Sequence, residues 1–98
     1  MYVGMAVFDL LLGDVRTVKQ KRAVVRPIVA EVRRKFAVAV AETGHRELYR
    51  RAEIGVAAVS GEPGHCTSVL DTVERWMAGR PEVELVAVQR RLASTDDD

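Results

Sequence analysis

Apolar residues crowd the segment "YVGMAVFDLLL". It is rich in strand-forming types and closed by "GD" at 13–14, which predicts a first strand over about 2–12. Thr17 then stands in the position of an N-cap, with Gln20 three residues later in capping-box spacing. Beyond it the apolar period lengthens to that of a helix. At 100° per residue Val18, Val25, Ile28, Val29, Val32 and Phe36 converge on one face, which is the face predicted to be buried. Pro27 interrupts this stretch; it lacks an N–H and its ring crowds the carbonyl of Ala23, so a kink is predicted there.

"AVAVAE", 37–42, reads as a second strand, "TGHRELYR" as a polar connection with room for a short helical turn, and "RAEIGVAAVS", 51–60, as a third strand. "SGEPGH" supplies breaker and helix-start signals, with Pro63 tolerated in a first turn. Cys66, Val69, Leu70, Val73, Trp76 and Met77 then follow the i, i+3, i+4, i+7 template, and Gly79 in the role of a C′ glycine with Pro81 beyond it ends this second helix. "EVELVAVQRRL", 82–92, is a fourth strand, and "ASTDDD", 93–98, is an acidic tail expected to be disordered. The order βαββαβ predicts an α+β, ferredoxin-like domain over residues 1–92: a four-stranded antiparallel sheet with two helices on one face.

Composition limits the remaining choices. Ninety-eight residues allow one domain, and 48% hydrophobic with 30% charged residues is ordinary globular composition. No apolar run reaches the roughly 18 residues of a membrane span, and Met1 leads into its first strand with no basic leader, so a cytoplasmic protein is expected. A single cysteine, Cys66, leaves no internal disulfide, and no Cys/His pair has zinc spacing; no metal and no cofactor are expected.

The net charge of +1 conceals a division. Residues 15–51 hold 11 Lys or Arg and 3 Glu, a net of +8, while the rest holds 4 basic and 11 acidic residues, a net of −7. Such asymmetry bears on partners rather than on fold. Lys19, Arg22, Arg26 and Arg33 fall within roughly 60° of one another on the flank of the first helix. With Arg50 and Arg51 from the connection they form the candidate RNA-binding set, since guanidinium and ammonium groups neutralise phosphates and donate to them. No base-reading motif accompanies them, so contact with backbone and shape is expected. Strands one and three lack the aromatic pair on which an RNA-recognition sheet stacks bases. The bland alternative is that the stripe is simply the wet side of a core helix.

"TVKQKRAVVRPIVAEVRRKF", followed by "VAVAETGHRELYRRAEIGVAAVS" and "PEVELVAVQ", resembles the YlxP-like family of small bacterial proteins, over residues 2 to about 92. The resemblance implies a ferredoxin-like fold. It also implies a gene neighbourhood shared with translation initiation factor two and ribosome-binding factor A, and hence an association with RNA or ribosomes. It carries no catalytic motif. The family's aromatic residue before "QRA" corresponds to Tyr49 in "LYRRA", where Arg50 adds a charge.

Three catalytic readings are weaker. Cys66 beside His65 near a helix start has the makings of an activated thiol, but its phase places it in the core. His45 with Glu42 or Glu47 is an acid/base pair only on paper. Acylphosphatases share length and fold, and Arg16 stands near the position of their phosphate-binding arginine, yet "LLGDVRTVKQKR" lacks the glycine-rich cradle and the chain contains no Asn. If Val38, Val40, Ile54 and Val56 face the helices, the opposite sheet face carries Ala39, Ala41, Gly55 and Ala57, apolar but shallow. The expectation is a non-enzymatic accessory protein of translation or ribosome maturation, touching RNA or a ribosomal subunit. The alternative is a homodimeric or small-ligand regulatory module paired through the open sheet face.

Overall fold

Every second residue of β1 (Tyr2–Leu12) is buried, and Ala6, Phe8, Leu10 and Leu12 are each at most 1% exposed. A strand that is buried so completely on one face must lie inside a sheet and under a layer of helices. In the computed structural model, which describes residues 1–96, β1 pairs antiparallel with both β3 (Arg51–Ser60) and β4 (Val83–Ser94). The sheet order is β2-β3-β1-β4, with β2 (Ala39–Gly44) paired antiparallel to β3. Two helices, α1 (Val18–Lys35) and α2 (Pro63–Ala78), cover one face and share its core: Val25, Ile28 and Val32 from α1 meet Leu70, Val73 and Met77 from α2 over Phe8 and Ile54. This is the ferredoxin-like α+β arrangement read from the sequence.

Local signals set the helix ends. The Thr17 hydroxyl accepts the Gln20 N–H at 3.1 Å, as an N-cap should. The return bond is displaced by one residue from that of a capping box: the Gln20 side-chain oxygen accepts the N–H of Arg16, at 2.7 Å, rather than that of Thr17. α1 runs unbroken through Pro27, so the element is not divided there. Gly79 also departs from expectation. It lies at φ −86°, ψ −2°, in the right-handed region, and its N–H closes back on the Arg75 and Trp76 carbonyls; α2 ends by tightening its last turn before Pro81.

Two boundaries shift for hydrogen-bonding reasons. β2 begins at Ala39 and runs to Gly44 rather than over 37–42, because the Val38 N–H turns back to the Phe36 carbonyl and pairing starts only where Ala39 meets Ala57. The tail expected to be disordered from residue 93 is instead ordered at its start. Ala93 and Ser94 continue β4 opposite Val3 and Tyr2, and the Thr95 N–H donates to the Met1 carbonyl. Asp97 and Asp98 lie outside the described residues. In the 43–50 connection no helical turn forms. His45 adopts φ 57°, a left-handed conformation that L-residues seldom take, and the Leu48 N–H closes on its carbonyl.

α2 packs tightly against β1 at Gly4, where an added Cβ would stand 3.0 Å from both Cys66 Cβ and Leu70 Cδ1. Cys66 is fully buried there, its Sγ 3.4 Å from the Ala58 carbonyl oxygen. The thiol of the native protein should therefore resist an aromatic disulfide reagent and react at the rate of unfolding, whereas urea-unfolded chain reacts at once; rapid labelling without loss of circular dichroism would contradict this placement.

Candidate nucleic-acid interface

The cationic residues of α1 do not form one continuous stripe once their partners are traced. Lys19, Arg22 and Arg26 are exposed and have no hydrogen bond or ion pair among the described residues. Arg33 is different: its Nη2 donates to the Val40 carbonyl oxygen at 3.0 Å, an acceptor on β2, which forms one edge of the sheet. Arg50 is also engaged. Its Nε donates to the Gly13 carbonyl oxygen at 3.1 Å, while its own carbonyl accepts the Leu12 N–H, so it braces the end of β1. Arg51 belongs to the other face of the sheet altogether, with Nη2 3.8 Å from Asp9 Oδ1. Of the six residues singled out by charge, the fold brings Arg22 and Arg26 into one pocket, leaves Lys19 beside them on α1, and gives Arg33, Arg50 and Arg51 work within the protein.

Two residues complete the site that charge counting alone did not single out. Arg46, from the β2–β3 connection, joins Arg22 and Arg26 around a pocket of about 210 Å³, and Lys21 forms part of its wall. Lys21 is only 3% exposed. An ammonium so buried needs partners, and it has two: Nζ donates to the His45 carbonyl oxygen at 2.5 Å and lies 3.0 Å from Glu42 Oε2. The directed hydrogen bond goes to the carbonyl, and the contact with Glu42 is ionic. A signal for Lys21 existed in the sequence. It stands three residues after Val18, four before Val25 and seven before Ile28, in the phase of the buried face rather than the wet one.

The one acidic residue of α1 does not offset these cations. Glu31 is occupied by Arg34, whose Nη2 lies 2.5 Å from its Oε1, and this hydrogen bond holds the Glu31 carboxyl below the usual carboxylate range. The acidic side of the molecule is paired more thoroughly. Arg90 reaches Asp71 at 2.6 Å and Glu74 at 3.5 Å on α2. Arg80 lies over the Trp76 ring, 4.9 Å from its centroid, and pairs with Glu82; a backbone N–H first, and Arg80 after it, keep the Glu82 carboxyl low.

The suggested catalytic pairs are not assembled. His45 turns its ring to Asp9, 3.1 Å away on the open face of the sheet, while Glu42 points to Lys21 on the helix side. Cys66 is core, and Arg16 pairs with its near neighbour Asp14 at the surface. Asp9, His45 and Glu53 do bring three metal-type ligand atoms within 4.8 Å of one another. As cross-strand neighbours Asp9 and Glu53 repel, and the repulsion is already answered: the Thr43 hydroxyl donates to Glu53 at 2.7 Å, and His45 and Arg51 flank Asp9. The cluster closes on itself.

The sequence profile of a family described as "Protein of unknown function (DUF503)" matches residues 3–90. The chain belongs to this family. It is also similar to a protein of Bacillus subtilis (strain 168) described as "Uncharacterized protein YlxP", with 32% identity over 82 residues, covering 84% of this chain and 89% of the relative. Family membership agrees with the resemblance and assigns no chemistry, so the reading of the site rests on its geometry. No helix among the described residues is long and apolar enough to cross a membrane.

The Lys21–Glu42 pair gives a stability test. Glu42→Gln leaves a buried ammonium with one neutral partner and should cost about 1–3 kcal/mol in urea denaturation, as breaking buried pairs does, moderated by the 25% exposure of Glu42. Replacing both residues, Lys21→Met with Glu42→Gln, should cost less than the sum of the two single changes. Strict additivity would mean that the pair does not interact.

Proposed function

We propose that this member of the family is a non-enzymatic accessory protein of translation or ribosome maturation that holds RNA, free or within a ribosomal subunit, through the basic face of α1 and the adjoining β2–β3 connection. The observation that carries this reading is the contrast among its arginines. Arg16, Arg34, Arg80 and Arg90 are matched with carboxylates, and Arg33 and Arg50 with carbonyls. Arg22, Arg26 and Arg46 converge on one pocket and are matched with nothing among the described residues. Gathering like charges without counter-charges opposes folding, and an anionic partner removes that repulsion. With no base-reading element beside them, such cations favour phosphates over sequence.

A second reading rests on a separate observation. The open sheet face carries a shallow apolar groove of about 370 Å³, lined among others by Met5, Val7, Ala41, Gly55 and Ala57, and Val59 is 62% exposed. That face suits a second copy of the chain, and it lies opposite the helices, so the two readings are compatible.

Replacing Arg22, Arg26 and Arg46 together by Gln should remove co-sedimentation with a ribosomal subunit at low salt while leaving circular dichroism unchanged. For three lost phosphate contacts on single-stranded RNA, the slope of log affinity against log salt should become shallower by about 2, from roughly 0.7 per contact. Matching changes at Arg16 and Arg34, which already have carboxylate partners, should matter little. Unaltered binding by the triple variant would end the RNA reading. Light scattering coupled to size exclusion tests the second one: a dimer that Val59→Lys converts to monomer is expected, and a monomeric native protein at high concentration would exclude it.

A further inference from the structure

Arg22, Arg26 and Arg46 do more than share a surface. They ring a pocket whose remaining walls are Val18, Lys21, Val25 and Glu42. Its floor is fixed: Lys21 is buried and tied to the His45 carbonyl, and its ammonium and the Glu42 carboxylate, 3.0 Å apart, cancel one another's charge. What remains uncancelled is three guanidiniums, each a planar fork able to give two parallel N–H···O bonds to phosphate oxygens. We propose that this pocket binds a terminal phosphate monoester, carried either by the end of an RNA chain or by a small phosphorylated metabolite. The RNA source rests on the function proposed above; the pocket itself does not.

Two features favour a monoester over a backbone diester. The first is size. At about 210 Å³ the pocket is smaller than the roughly 300 Å³ at which sites for drug-sized ligands begin, so it takes a group rather than a whole nucleotide. The second is charge: a monoester carries about −1.5 to −2 at pH 7 and offers three terminal oxygens, enough to engage three guanidiniums, whereas a diester has one negative charge and two free oxygens. The floor, with Lys21 and Glu42 paired 3.0 Å apart, adds no net charge, so the ligand's oxyanions are held by the arginines.

The test uses the full chain and a short single-stranded RNA with bare ends, a 5′-phosphate or a 3′-phosphate, together with ribose 5-phosphate, all titrated at constant salt. One phosphorylated end should raise affinity about 10-fold or more, about what a single added charge-assisted hydrogen bond supplies. The preference should fade below pH about 6, where the monoester dianion is protonated to the monoanion. Arg46→Gln, a change at an exposed side chain without an internal partner, should bring the ratio of phosphorylated to bare RNA close to 1. Equal affinity of the native protein for all three RNAs would overturn the monoester pocket and leave general RNA contact standing. A preference that survives Arg46→Gln would also overturn it, since the phosphate would then sit elsewhere. Binding of ribose 5-phosphate that Arg46→Gln abolishes, with no RNA bound, would uphold the pocket with a metabolite as its source and reject the RNA reading. Failure of every phosphorylated probe to bind would reject both.

Discussion

A buried ammonium ties α1 to β2 and to the connection that follows it. Lys21 leaves α1 on its core side and reaches the carbonyl of His45 and the carboxylate of Glu42, so one side chain joins the first turns of the helix to β2 and to the connection that follows it. A charge that has left water must keep its partners, and those partners are thereby fixed in place. His45 is held in a left-handed conformation while its carbonyl serves Lys21 on one side of the sheet and its ring meets Asp9 on the other. Arg46 follows directly in the chain, so its approach to Arg22 and Arg26 depends on that same anchor.

The architecture was legible because periodicity and burial agree almost everywhere. The strand-forming composition of 2–12 returned that element, the pattern over 51–60 returned its strand with Ile54 and Val56 inward, and the apolar phase of α2 returned the helix and its inward face, since packing against a common core is what such patterns record. Ends were less legible. They depend on single hydrogen bonds, such as Val38 to Phe36 or Thr95 to Met1, which link residues that composition does not distinguish from a loop. The site was half legible for a related reason. Charge and helical phase placed Arg22 and Arg26 correctly on a shared flank, but they do not reveal that Arg33 is consumed by the Val40 carbonyl or Arg50 by that of Gly13. Lys21 was hidden by its type: a lysine in a run of basic residues reads as solvated, and only its phase betrays that it is core.

The two halves of the charge distribution are resolved differently by folding. Asp71 and Glu74 of α2 find Arg90, and Glu82 before β4 finds Arg80. On α1 the sole glutamate is taken by Arg34, the buried lysine takes Glu42 and Arg33 the Val40 carbonyl, leaving Lys19, Arg22, Arg26 and Lys35 exposed and without a hydrogen bond or ion pair among the described residues. A chain of nearly neutral total charge thus carries a patch of positive charge without carboxylate partners among the described residues, set by where the pairs form rather than by the sum.

The contact between Arg33 and Val40 bears on how the protein behaves in crowded solution. Edge strands offer unpaired carbonyls and amides on which foreign strands can grow, and native sheets commonly disarm them with charge or irregularity. Here the guanidinium occupies a carbonyl of edge strand β2, whose pairing with β3 is further disturbed between Glu42 and Gly44. At the opposite edge β4 carries an irregularity of register beside Asp9 and Leu10, and it exposes Gln89, Arg90 and Arg91. Both borders thus carry the kinds of feature, a charged side chain on an edge carbonyl and a break in register, that disfavour the addition of a foreign strand.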